Sequence, residues 1–164
     1  MIGRALRHIV SPSVRRTFPA STLQAITQAI AAGEQHHGGQ VMFAVEADLP
    51  LHALWRGVSA RQAAERAFAQ LRTWDTEHNN GVLIYLLLAD HAIEIVADRG
   101  LHGRVAEADW QRICATLREG LRGRDPAAAL VLAINDVSAL LAGHFPPGAR
   151  SDQDALPDWP QILG

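Results

Sequence analysis

The chain has 164 residues, 48% of them apolar and 20% charged. That balance suits one globular domain and excludes a disordered chain. A formal net charge of −2 supplies no general field to draw nucleic acid or an acidic membrane. A single cysteine, Cys114, excludes an internal disulfide.

The N-terminal MIGRALRHIV carries charges where a secretory signal needs an unbroken apolar stretch. No apolar run approaches the ~20 residues that span a bilayer. The expectation is a soluble cytoplasmic protein without direct membrane insertion. Residues 1–17 read as a leader, 18–145 as the domain, and 146–164 as an extended tail packed on it.

In chain order, STLQAITQAIAA places Ser21 and Gln24 at capping-box spacing, followed by Leu23, Ile26 and Ile30 at helical intervals. Gly38 and Gly39 stop that helix. His36 and His37 read as helix-end residues. QVMFAVEA, 40–47, is a short apolar run of strand character. Ser59 and Gln62 form a second capping box before a helix reaching about Arg72. TWDTEHNN, 73–80, is a polar loop. GVLIYLLLA, 81–89, is apolar on both faces, as a strand covered on both sides must be. Strand–helix–strand order makes the two strands parallel. After Asp90-His91 the chain returns as AIEIVAD, with Ile93, Ile95 and Ala97 on one face and Glu94, Val96 and Asp98 on the other. This alternation suits an antiparallel neighbour. Trp110, Ile113, Cys114, Leu117 and Leu121 mark a third helix, where Cys114 reads as a small buried hydrophobe. Asp125-Pro126 opens a fourth, with Leu130, Ile134, Val137 and Leu141 as its stripe. The fold class is α/β: a three-layer α/β/α sandwich with a small mixed sheet, about four flanking helices and an extended tail. The tail's prolines exclude a helix or a central strand.

Folding the hairpin back decides which polar residues meet. With Asp90-His91 as the turn, Ala89 faces Ala92, Leu83 faces Asp98 and Gly81 faces Gly100. Asn79, Asn80, Arg99 and Gly100 then gather at the hairpin base, joined by Trp74 and Asp75 from the loop. These define a substrate or partner groove of Trp74, Asn79, Asn80, Arg99 and Gly100. Glu94 and Asp98 lie roughly 13 Å apart at strand rise and cannot chelate one ion. A divalent cation would need Asp98 with Asp75, an Asn side chain or carbonyl oxygens, a donor set for Ca²⁺ or Mg²⁺. At the opposite end, Glu46, Asp48, Asp90 and His91 read as ordinary strand-end and turn residues. His78 and His102 are within reach of the hairpin base.

No glycine-rich phosphate loop, nucleophile elbow, paired-cysteine motif or zinc-protease motif is present. No nucleotide or organic cofactor is expected, and no catalytic residue is assigned.

The pattern W-x5-NGVLIYLLLADHAIEIVADRGL, from Trp74 onward, resembles the TPM domain family, whose members include plant thylakoid-lumen proteins linked to photosystem II repair. The resemblance covers about residues 18–145 and rests on Trp74, Asn80-Gly81 and the segment Asp98 to Leu101. HFPPG…LPDWPQIL looks like the ending of a short, free-standing bacterial branch. The resemblance implies an α/β/α sandwich with an acidic groove, for which divalent-cation binding and weak acid phosphatase activity have been proposed within the family. Two positions depart from the family pattern: Thr17-Phe18-Pro19-Ala20 ahead of the first helix, and Ala97-Asp98-Arg99-Gly100 after the second strand of the hairpin.

Two functions follow. The favoured one is a binding or assembly module that engages a protein partner, a membrane-associated one included, with a cation optional. The alternative is a weak metal-assisted phosphatase, in which Asp75 and Asp98 hold the cation, Arg99 clamps phosphate and Asn80 orients it. The first is favoured because no nucleophile with an adjacent base can be read from the chain.

Overall fold

Two parallel strands, buried at every position, form the centre of the molecule. The computed structural model describes residues 2–148 and 156–164. β1 (Gln40–Glu46) pairs in parallel with β2 (Gly81–Leu87), from Gln40 opposite Gly81 to Glu46 opposite Leu87. β3 (Ala92–Ala97) runs antiparallel along β2, and β4 (Gln161–Leu163) runs parallel along the other side of β1, giving the order β3-β2-β1-β4. Strands covered on both faces need apolar side chains at successive positions, and VMFAV and VLIYLL provide them.

Helices fill the layers on either side. α3 (Ala20–Glu34), α6 (Glu107–Leu121) and α7 (Pro126–His144) cover one face, where Val41, Phe43, Val82 and Ile84 meet Ile30, Ile113 and Ile134. α4 (Leu51–Trp55) and α5 (Ala60–Gln70) cover the other, where Met42, Leu83 and Tyr85 meet Ala53, Ala63 and Ala67. Alanines on α5 let that helix sit close to the sheet. The result is the expected three-layer sandwich. Among the described residues α7 alone is long and apolar enough to cross a membrane. Its stripe of Leu130, Ala133, Ile134, Val137 and Leu141 is buried against the domain, which accounts for that composition.

The capping box at Ser59 and Gln62 forms, and Asp125 accepts from the Ala128 amide at 3.0 Å with Pro126 at the first helical position. Cys114 is partly buried against the core, and burial pushes its thiol up to about 11, as suits an unreactive packing residue.

Five details differ from the sequence reading. α3 starts at Ala20 behind Pro19, so Ser21 lies within the helix and caps nothing; the proline's fixed φ turns the chain into the helix ahead of the serine. Residues 1–17 contain α1 (Ile2–Ile9) and α2 (Val14–Thr17), which pack on the domain through buried His8 and Val14. Leu51–Trp55 is a short helix, one of seven helices among the described residues. Residues 161–163 form an edge strand, which the preceding Pro160 allows. Finally, the hairpin register is shifted by two residues: Leu87 faces Ala92, Leu83 faces Val96 and Val82 faces Ala97. The turn spans residues 88–91 rather than two residues, with His91 in the left-handed region at φ 50°. A shift of two preserves which face each side chain occupies, so Ile93 and Ile95 still point to one layer and Val96 to the other.

Candidate functional site

At the carboxyl ends of β1 and β2 every buried carboxylate already has partners. Glu46 accepts from Arg66 Nη2 at 3.0 and 3.1 Å and from the Tyr85 hydroxyl at 2.5 Å. Burial raises the Tyr85 phenol above its ordinary range, and the Glu46 hydrogen bond and charge raise it further, so the hydroxyl stays a donor. Asp90 accepts from Arg4 Nε and Nη2, the shorter contact being 2.7 Å. His8 Nε2 lies 3.1 Å from Asp90 Oδ1, while His8 Nδ1 accepts from the Leu49 amide at 2.8 Å. With Nδ1 accepting, Nε2 is the ring's donor side and faces Asp90. Together with Arg4, this Asp–His contact clamps α1 to the turn after β2. An apolar recess of about 430 Å³ also opens at this end, between Phe18, Leu88, Ile93 and Leu121.

Burial pushes the Asp90 carboxyl up, but hydrogen bonds from Arg4 and His8 outweigh it and hold the carboxyl below its ordinary 3.8. A group depressed in the folded state contributes stability in full above its unfolded value, and that contribution is lost as pH falls through the folded value. Acidification below about pH 4 is therefore expected to raise amide exchange in α1 ahead of α5 and α6. Asp90→Asn should show the looser α1 at all pH. Protection of α1 that is independent of pH over this range would refute the clamp.

The amino ends of the same strands are open. A cavity of about 620 Å³ sits there, lined by Gln40, Asn79, Asn80 and Gly100 among others. The polar loop before β2 builds one wall. Asn79 adopts a left-handed φ of 51°, which asparagine tolerates better than most residues. Its carbonyl accepts from the Gly100 amide at 2.8 Å, and its side-chain oxygen accepts from Arg99 Nε at 2.9 Å. Gly100 has no side chain for a steric reason: a Cβ would fall 2.4 Å from the His78 carbonyl oxygen. Asn80 donates through Nδ2 to the Gly38 carbonyl at 3.1 Å, and its own amide donates to Thr76 Oγ1 at 3.0 Å. The wall opposite comes from the end of α7, where His144 and Phe145 line the cavity and Arg104 lies over the Phe145 ring at 5.2 Å.

Of the residues picked from sequence, Asn79, Asn80 and Gly100 line this cavity, and Arg99 is tied to it through Asn79. Trp74 stands outside it, half-exposed, with Arg72 over its ring at 5.8 Å and its Nε1 donating to the Ala69 carbonyl at 3.4 Å. Asp75 also stands outside and pairs with Arg72. Asp98 caps the 3-10 turn Arg99–Leu101: Oδ1 accepts from the Arg99 amide at 2.7 Å, and Oδ2 is buried without a hydrogen-bond partner. Among the described residues no three His, Cys, Asp or Glu side chains form a metal-holding group. A cation at Asp98 would thus need carbonyl oxygens for its other ligands, which Ca²⁺ accepts. Gln40, Arg104, His144 and Phe145 were not assigned to the site from sequence, because they arrive from a strand start, a loop and a distant helix end with no shared local motif.

A family model described as TPM domain matches residues 14–140. The chain belongs to the TPM domain family. Among solved structures, the NMR structure of the BA42 protein from the psychrophilic bacterium Bizionia argentinensis is similar, with a TM-score of 0.71 and 24% identity. The similarity covers 89% of this chain and 95% of that one, and it supports the fold. Among curated proteins none matches. The matched TPM residues run from α2 into α7, so α1 and β4 lie outside them. One carboxylate, Glu77, is among the residues described as lining the groove of this TPM domain.

Proposed function

We propose that this TPM domain is a binding module whose groove at the amino ends of β1 and β2 takes an anionic group of a partner protein. The observation that carries this reading is the make-up of the groove. Arg104, His78 and His144 supply nitrogen donors, Asn79, Asn80 and Gln40 supply amides, and among the described residues Glu77 is the one carboxylate that opposes them. A guanidinium beside neutral amides suits a carboxylate or phosphate group. Titration of the ¹⁵N-labelled chain with inorganic phosphate is expected to shift the amides of Asn79, Asn80 and Gly100. Arg104→Ala should weaken binding about tenfold. Shifts centred on Arg118 and His91 at the other end of the sheet, or unchanged affinity in Arg104→Ala, would overturn it.

A second reading, a weak metal-assisted phosphatase, draws support from the buried, unpartnered Oδ2 of Asp98. Turnover of an aryl phosphate that depends on Mg²⁺ or Ca²⁺ and vanishes in Asp98→Asn, but survives in Asp90→Asn, would replace the first reading with this one.

A further inference from the structure

α1 turns its apolar stripe away from the protein. Its inward residues are Arg4, which holds Asp90, Ala5, which packs on the core, and buried His8. Its outward residues are Leu6, Ile9 and Val10 just beyond its end, 59%, 66% and 68% exposed. A helix packed on a domain ordinarily does the reverse. The neighbouring α4 repeats the pattern. Ala53 and Leu54 are buried, whereas Leu51 and Trp55, one turn apart, face solvent, with Trp55 81% exposed. The two helices are linked where the Leu49 amide donates to His8. Single exposed apolar residues need no explanation; two adjoining helices that both display them at helical spacing do.

Positive charge gathers close to these helices in the sequence. Residues 1–33 hold four arginines and no carboxylate, although the whole chain is net −2. Arg15 and Arg16 are exposed and form no ion pair among the described residues, as does Arg56 beside Trp55. Arg7 remains half-exposed despite its contact with Asp90.

We propose that α1 and α4 form a peripheral docking surface for an anionic lipid bilayer. Leu6, Ile9 and Trp55 enter the headgroup boundary, and the arginines of residues 7–16 meet lipid phosphates. An apolar stripe flanked by cations is the pattern of interfacial helices, and tryptophan favours that depth. A symmetric dimer through this face would set like arginines against each other, which argues against a second copy as the occupant. The surface lies beyond the carboxyl end of β2, where Arg7 reaches the Ala89 carbonyl. The groove at the amino end of β2 therefore faces away from the bilayer.

Flotation of the full chain with phosphatidylcholine vesicles, with and without phosphatidylglycerol, tests this. Binding is expected to the anionic vesicles, to fall with salt, and to be weak on phosphatidylcholine alone. Leu6→Gln with Ile9→Gln should lower partitioning by about two orders of magnitude. Arg15→Gln and Arg16→Gln should each lower it about fivefold. Anionic vesicles should shift tryptophan emission to the blue, and Trp55→Phe should remove that shift. All these residues are exposed, so circular dichroism should match the parent. No flotation of folded protein on either vesicle, full retention in Leu6→Gln/Ile9→Gln, or self-association abolished by that same pair would overturn the proposal.

Discussion

Gly81→Ala is expected to cost about 3 kcal/mol or more, a large share of a typical domain's stability. A Cβ at this position would fall 1.9 Å from the Thr73 carbonyl oxygen and 3.0 Å from its carbonyl carbon. Both are backbone atoms, and neither side can give way. Thr73 is fully buried, with Oγ1 donating to Met42 Sδ at 3.3 Å. Gly81 is paired to Gln40 in the parallel ladder, and its carbonyl accepts from the Asp98 amide at 2.9 Å. Relief would require the α5–β2 loop to lift off the sheet, taking the groove wall of Asn79 and Asn80 with it. Urea unfolding followed by circular dichroism measures the loss, and a variant within about 0.5 kcal/mol of the parent would show that the loop yields freely.

Arg66→Ala is expected to cost about 3 kcal/mol at neutral pH. The Glu46 side chain is only 6% exposed and faces Arg66 at 3.0 Å. Removing the guanidinium leaves that carboxylate in a nearly dry setting, with the Tyr85 hydroxyl as its remaining partner. One hydrogen bond does not offset the desolvation of a charge. Arg66→Ala with Glu46→Gln should recover most of the loss. No recovery in that double variant would mean that water reaches Glu46 and that Arg66 contributes mainly packing.

The layers of this fold were legible because the apolar periods are unambiguous. QVMFAVE and GVLIYLL cannot be solvated on either face, and Ser59–Gln62 and Asp125–Pro126 are local signals that need no tertiary information. The hairpin register was not legible. Asp90-His91 has turn composition, but Asp90 is drawn to Arg4 and His8, residues 86 and 82 positions away, and the turn widens to four residues around that contact. Ser21 failed as a cap because Pro19 starts the helix earlier. At the site, Asn79, Asn80 and Gly100 could be placed together because they flank one hairpin. Arg104 and Phe145 could not, since their contact depends on where α7 ends relative to a loop about forty residues earlier in the chain.

β4 pairs in register with three residues of β1, from Ala44 to Glu46, yet its position has a consequence for the behaviour of the chain at high concentration. Without it, β1 would be the rim of the sheet: an apolar strand with free amides and carbonyls, the kind of template that recruits a strand from another molecule. The terminal segment occupies that rim, and the Leu156 amide bonds to Gln40 Oε1 at 2.9 Å near the strand's start. At the far rim, Arg61 donates to the Ile95 carbonyl at 2.6 Å, placing a charge along β3. Both rims are thus guarded, one by the molecule's own tail and one by an arginine, so that a sheet with so apolar a centre can remain solitary.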